Sequence, residues 1–133
     1  MKLSILITLL NEELVLAQTH KAISEKLESM ILSEELSDYE ILYVDDGSSD
    51  STLELIDAIA NENPRVKYIS FSRNFGRESG ILAGFKYATG DAVMVMDGDL
   101  QHPPYLVPLF VEAYKEGYDI VSVQRTREGE SFV

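Results

Sequence analysis

Short apolar runs, mostly unbroken, alternate along the whole sequence with stretches whose apolar residues recur at helical spacing, and few folds accept that alternation. Leu3–Ile7, Ile41–Val44, Val66–Phe71, Ala92–Met96 and Ile120–Val123 read as strands, continuous in the manner of strands covered on both faces. Between them, Glu13–Glu35 reads as a helix carrying Leu14, Ala17, Ala22, Ile23, Leu27 and Ile31, ending within Ser33 to Asp38. Thr52–Ala60 is a second helix, with Ser51 and Glu54 spaced as a capping box. Glu78–Ala88 and Pro104–Lys115 are the third and fourth, each followed by a glycine, Gly90 or Gly117, where a C-terminal cap would stand. Strand, helix, strand repeated four times predicts an α/β fold: a mainly parallel sheet with helices on both faces. Gly76, Gly80 and Gly84 recur every four residues, which predicts close packing of the third helix on that sheet. Ligands of such sheets bind beyond the carboxyl ends of the strands.

At 133 residues the chain has the length of one domain with a real core, and 45% apolar residues without low-complexity tracts make it globular. A net charge of −12 excludes a protein that tracks nucleic-acid phosphates with clustered Lys and Arg. It does not exclude a nucleotide, because a bound metal supplies positive charge locally. The absence of cysteine excludes disulfides, thiolate metal sites and cysteine nucleophiles, and favours a cytosolic setting. The apolar run after Lys2 is too short for a signal-peptide core or a membrane span.

The chemistry gathers at the strand ends. Ala92–Met96 runs directly into Asp97-Gly98-Asp99, and two carboxylates delivered by one buried strand repel unless a cation sits between them. Mg²⁺ or Mn²⁺ carrying a phosphorylated ligand answers that need, since hard cations take oxygen donors and keep positions for substrate phosphates. Gln101 offers a further oxygen. The first strand exits into Thr8 to Glu13 and the second into Asp45-Asp46-Gly47-Ser48-Ser49-Asp50, so three polar segments share one sheet edge. Each has a plainer reading: Asp-Gly-Asp as a polar turn, Asp46-Gly47 as a turn dipeptide, Asn11 and Asp50 or Ser51 as helix caps. Asp45 beside Asp46 makes a second acidic pair that turn chemistry does not require. No P-loop and no G-x-G-x-x-G after a strand is present. His20 reads as a surface helix residue, and His102 flanks the acidic loop.

These residues resemble the inverting family-2 glycosyltransferases of the GT-A fold, a Rossmann-like nucleotide-diphospho-sugar transferase architecture, and most closely the polyprenyl-phosphate branch. Asn11-Glu12-Glu13, Val44 to Asp50, Phe71 to Gly76 and Asp97 to Pro104 carry the resemblance, in order, over the whole chain. It implies that Asp97 and Asp99 are catalytic and hold Mg²⁺ or Mn²⁺ on the donor diphosphate, with Gln101 as a third ligand. It implies that Asp46 bonds the nucleotide base and that Thr8, Leu10, Glu12, Val44 and Gly98 complete the donor pocket. Thr8 stands where this branch usually has proline. Arg125 matches an arginine that contacts phosphate in this branch, and a guanidinium fork suits that role. The implied partners are a nucleoside diphosphate sugar and a polyprenyl phosphate, which is already anionic and needs no general base. Residues 1–133 then form the N-terminal donor-binding part of a truncated catalytic domain, placed at the cytoplasmic face of a membrane through a C-terminal part beyond Val133. Strand edges left exposed by the missing part would favour a homo-oligomer. Two alternatives are a hydroxyl-acceptor polysaccharide transferase, with a downstream carboxylate base, and a non-catalytic nucleotide-sugar-binding module. A D-x-D phosphatase fits poorly, because Leu100-Gln101 follows where threonine is expected.

Overall fold

The computed structural model describes residues 1–98 and 104–117, together with the backbone of 123–126 and 129–132. Strands β1 (Lys2–Leu9), β2 (Asp38–Asp45), β3 (Val66–Ser70) and β4 (Ala92–Asp97) form one sheet, with helices α1 (Leu16–Leu32), α2 (Thr52–Glu62) and α3 (Arg77–Tyr87) between them and α4 (Leu106–Lys115) following. The sheet order is β3-β2-β1-β4, and every pairing is parallel.

Alternation along the strands decides which helix covers which face. Leu3, Ile5, Ile7 and Leu9 of β1 pack with Ile23 and Leu27 of α1, Ile56 of α2 and Phe110 of α4, whereas Leu6, Leu42 and Val44 pack with Ile81 of α3. Helices thus lie on both faces, as predicted, and among the described residues α3 is the one helix on the second face. The chain winds one way through β1, β2 and β3, then crosses back under α3 to place β4 on the other side of β1. The sheet therefore changes direction between β1 and β4, and a crevice opens there at the carboxyl ends.

The glycines of α3 make that crossing possible. A side chain at Gly84 would collide with Leu6, and a Cβ at Gly80 would meet Thr8 Cγ2 at 3.1 Å and Val44 Cγ1 at 3.4 Å. Gly76 does not share this role: nothing lies near its missing side chain, and its φ of 98° makes it the turn that starts α3. Gly117 (φ 97°) stops α4 as a left-handed cap, whereas Gly90 follows an extended C-cap, Ala88, and is a glycine because Ser4 Oγ would stand 2.6 Å from a Cβ.

Other local expectations need correction. Helix α1 starts at Leu16, not Glu13, because Glu12–Val15 forms a turn on the Glu12 carbonyl and leaves Leu14 exposed. Ser51 makes no side-chain cap, and the donor at the head of α2 is Thr52, whose N–H reaches Asp50 Oδ1 at 2.9 Å. His20 is half-buried: its Nδ1 lies 2.8 Å from the hydroxyl of fully buried Tyr43, and burial lowers its pKa. Of the expected fifth strand, Ile120–Val123, only Val123 lies among the described residues. Val123–Thr126 (β5) pairs antiparallel with Gly129–Phe132 (β6).

The amino-terminal ends of the strands are closed by a buried polar knot. Glu40, 2% exposed, accepts from Ser4 Oγ at 2.6 Å, the Thr89 N–H at 2.6 Å and Lys67 Nζ at 3.1 Å, so β1, β2, β3 and the α3–β4 turn are joined at one carboxylate. Burial alone would raise its pKa, but these donors outweigh it and hold the group at about 2.

Candidate functional site

The loop leaving β1 and the loop leaving β2 are sewn together. Asn11, in the left-handed region at φ 54°, accepts the Ser49 N–H at 2.8 Å on Oδ1, and its own N–H donates to Ser48 Oγ at 2.9 Å. The Glu12 N–H donates to Thr52 Oγ1 at 2.9 Å, and Glu13 accepts the Ser51 N–H at 2.9 Å. Asn11 is thus a clamp between loops, not a helix cap. These bonds fix the backbone that presents Leu10 and Glu12 to the crevice.

The acidic pair after β2 splits between two tasks. Asp45, 1% exposed, turns into its own loop, with the Ser48 N–H 3.4 Å from Oδ1. Asp46, 4% exposed, accepts the Phe75 N–H on Oδ1 at 2.8 Å and the Gly76 N–H on Oδ2 at 3.1 Å. It holds the β3–α3 loop against the end of the sheet. Gly47 (φ 77°) completes the contact, since any side chain there would strike the backbone of Arg73 and Asn74.

Gly98 follows β4 and is gripped from two sides. Its Cα lies against Leu9, where a side chain would collide, and its carbonyl accepts a hydrogen bond from Thr19 Oγ1 of α1 at 3.3 Å. Asp97 projects towards α3, where Arg77 Nε stands 3.1 Å from its Oδ1.

Together these loops enclose an open cleft of about 420 Å³ at the β1/β4 switch point. Of the residues predicted from sequence, Thr8, Leu10, Glu12, Asp46, Asp97 and Gly98 all line it. Val44 does not; it is fully buried beneath α3 and supports the floor. Asp99, Gln101 and His102 lie outside the described residues, as does the side chain of Arg125, whose backbone is in β5 opposite Glu130. Asn74 and Arg77 also line the cleft and were not read from the sequence as site residues, although Asn74 falls within the Phe71–Gly76 segment and Arg77 follows it directly. Thr19 was equally hidden, because only the fold brings it to Gly98.

Among the described residues no three acidic or histidine side chains form a metal cluster. The donor chemistry nevertheless suits a hard cation: Asp97 offers carboxylate oxygen at the cleft wall, and the turn that follows leads to Asp99. Among the described residues no helix is long and apolar enough to cross a membrane.

Comparison with known proteins agrees with this geometry. The chain is 48% identical over 131 residues to CsbB of Bacillus subtilis (strain 168), a glycosyltransferase by name, covering 98% of this chain and 38% of that protein. It is 38% identical over 128 residues to the bactoprenol glucosyl transferase of Shigella phage SfX, covering 95% of this chain and 40% of that one. The chain therefore spans about two fifths of the length of these relatives. Among solved structures, S. aureus TarS 1–349 in complex with UDP-GlcNAc matches with TM-score 0.51 at 28% identity, over 74% of this chain and 27% of that one. The mannosyltransferase PcManGT from Pyrobaculum calidifontis, solved with GDP-Man and Mn²⁺, matches in fold with TM-score 0.60 at 18% identity, over 73% of this chain and 27% of that one. The fold is that of the GT-A glycosyltransferases. The family model for glycosyl transferase family 2 matches residues 4–133, and the chain belongs to that family.

Proposed function

We propose that the chain is the donor-binding part of a metal-dependent, inverting glycosyltransferase that moves a sugar from a nucleoside diphosphate to a polyprenyl phosphate. The observation that carries this reading is the convergence of Glu12, Asp46 and Asp97, from three separate strand ends, on one cleft at the topological switch. The UDP-GlcNAc complex of TarS supports a nucleotide sugar as donor, and the name of the phage relative supports a polyprenyl phosphate as acceptor.

In this reading Asp97 and Asp99 hold Mg²⁺ or Mn²⁺ on the donor diphosphate, with Gln101 completing the set. When bound, the cation supplies positive charge where the leaving diphosphate gains negative charge. Thr8, Leu10 and Glu12 form the wall along which the nucleoside lies, and Gly98 lines the cleft beside the diphosphate. Asp46 faces the base with a carboxylate already fixed by two backbone donors, so it is preorganised and loses little freedom on binding. Arg125 meets the acceptor phosphate. The acceptor approaches opposite the leaving group, which inverts the anomeric centre.

Calorimetric titration with uridine and guanosine diphosphates tests the reading. At least one is expected to bind, and the corresponding monophosphate is expected to gain much less from Mn²⁺ than the diphosphate does. A chain that binds no nucleotide, with or without Mn²⁺, would overturn it.

A further inference from the structure

We propose that Arg77 is the resident counter-cation of Asp97, that a divalent cation takes its place on that carboxylate, and that the freed guanidinium then grips the donor diphosphate. This rests on the metal reading above. Arg77 opens α3 directly after Gly76, whose N–H is fixed on Asp46, so the root of the side chain is anchored in the cleft wall. Its Nε reaches Asp97 Oδ1 at 3.1 Å, pairing residues 20 apart in sequence at the mouth of the cleft. It is the one cation among the described residues that line the cleft. The neighbouring Arg73 is instead stacked over the Phe75 ring at 4.5 Å.

The oxygen that Arg77 holds is one that a hard cation would take. A guanidinium and a divalent cation cannot both sit against it, because their charges repel at contact distance. Arg77 is 54% exposed, so its head can swing without disturbing packing. The nearest new partner after displacement is the anion that the metal brings. A planar fork of donors matches phosphate oxygens. The ion pair thus offsets the charge of Asp97 while the site is empty, and Arg77 turns into a ligand for the donor when it is filled.

The exchange gives effects of opposite sign, which simple damage would not. In Arg77→Gln, affinity for Mn²⁺ alone, read from the resonance signal of free Mn²⁺, is expected to rise about tenfold, while affinity for uridine diphosphate at saturating Mn²⁺, read by calorimetry, falls about tenfold. Arg77→Lys keeps the charge and is expected to hold Mn²⁺ affinity near the parent value while recovering only part of the diphosphate affinity. If Arg77→Gln moves both affinities the same way, or neither, the exchange is overturned while the metal reading stands. A parent chain that binds uridine diphosphate but takes up no Mn²⁺ with it overturns the metal reading, and the exchange with it.

Discussion

At the scale of single residues, the same carboxylate type serves three ends here, and its neighbours decide which. Asp50 caps α2, Asp46 holds the β3–α3 loop through two backbone donors, and Asp97 faces the cleft opposite Arg77. Asp46→Ala removes an acceptor from two partly buried N–H groups, so it is expected to cost about 2–3 kcal/mol of stability and to weaken nucleotide binding with or without Mn²⁺. Denaturant unfolding and calorimetry on the same variant check both parts, and intact stability would refute the clamp. Thr19→Val, nearly the same shape, is expected to cost about 1 kcal/mol and to weaken Mn²⁺-dependent diphosphate binding more than metal-free binding, since it frees the turn that directly follows Asp97. Equal loss in both binding modes would assign Thr19 to packing alone. The sequence exposed Asp46 and Asp97 because acidic pairs at strand ends are a local pattern. It concealed Thr19 and Arg77, which reach the site only through contacts spanning 79 and 20 residues.

At the scale of elements, α3 bears most on the site, since it carries Arg77 into the cleft, and the knot at Glu40 closes the opposite end of the sheet. Gly84→Ala forces a methyl into Leu6 and is expected to destabilise by about 1–3 kcal/mol, with Gly80→Ala milder because its contacts are ordinary to tight. Thermal unfolding of the two variants checks the order. Glu40 makes the acid limb of stability predictable. Its folded pKa of about 2 lies below the ordinary 4.5, so its contribution is complete above about pH 4.5 and is lost as the pH falls towards 2. Glu40→Gln is expected to flatten that part of the stability profile, measured as urea midpoint against pH, and an unchanged slope would contradict the assignment. The four-residue glycine spacing made α3's close packing legible for Gly80 and Gly84, but not Gly76's turn, because spacing does not report φ. Ser51 and Glu54 matched a capping pattern, but Ser51 makes no such bond and the side chain at the head of α2 is Asp50, which accepts the Thr52 N–H.

At the scale of the whole molecule, the winding reversal between β1 and β4 creates the cleft. The alternation of strands and helices made the parallel sheet legible, because buried strands must read as continuous apolar runs. The β5–β6 pairing was not legible: a short apolar run shows that a strand forms without naming its partner, and periodicity does not report that Val123–Thr126 pairs antiparallel with Gly129–Phe132. The net charge of −12 likewise has its local meaning only in the fold, which brings Glu12, Asp46 and Asp97 to one edge and sets Arg77 among them.

Asp97 is expected to anchor a divalent cation on a nucleoside diphosphate in this cleft. Calorimetric titration of the parent chain and of Asp97→Asn with uridine or guanosine diphosphate, each with and without Mn²⁺, tests it most directly. The parent is expected to gain at least about tenfold in affinity from Mn²⁺, while Asp97→Asn, unfolding at the parent's temperature, gains nothing. Equal gains from Mn²⁺ in the two proteins would contradict the claim.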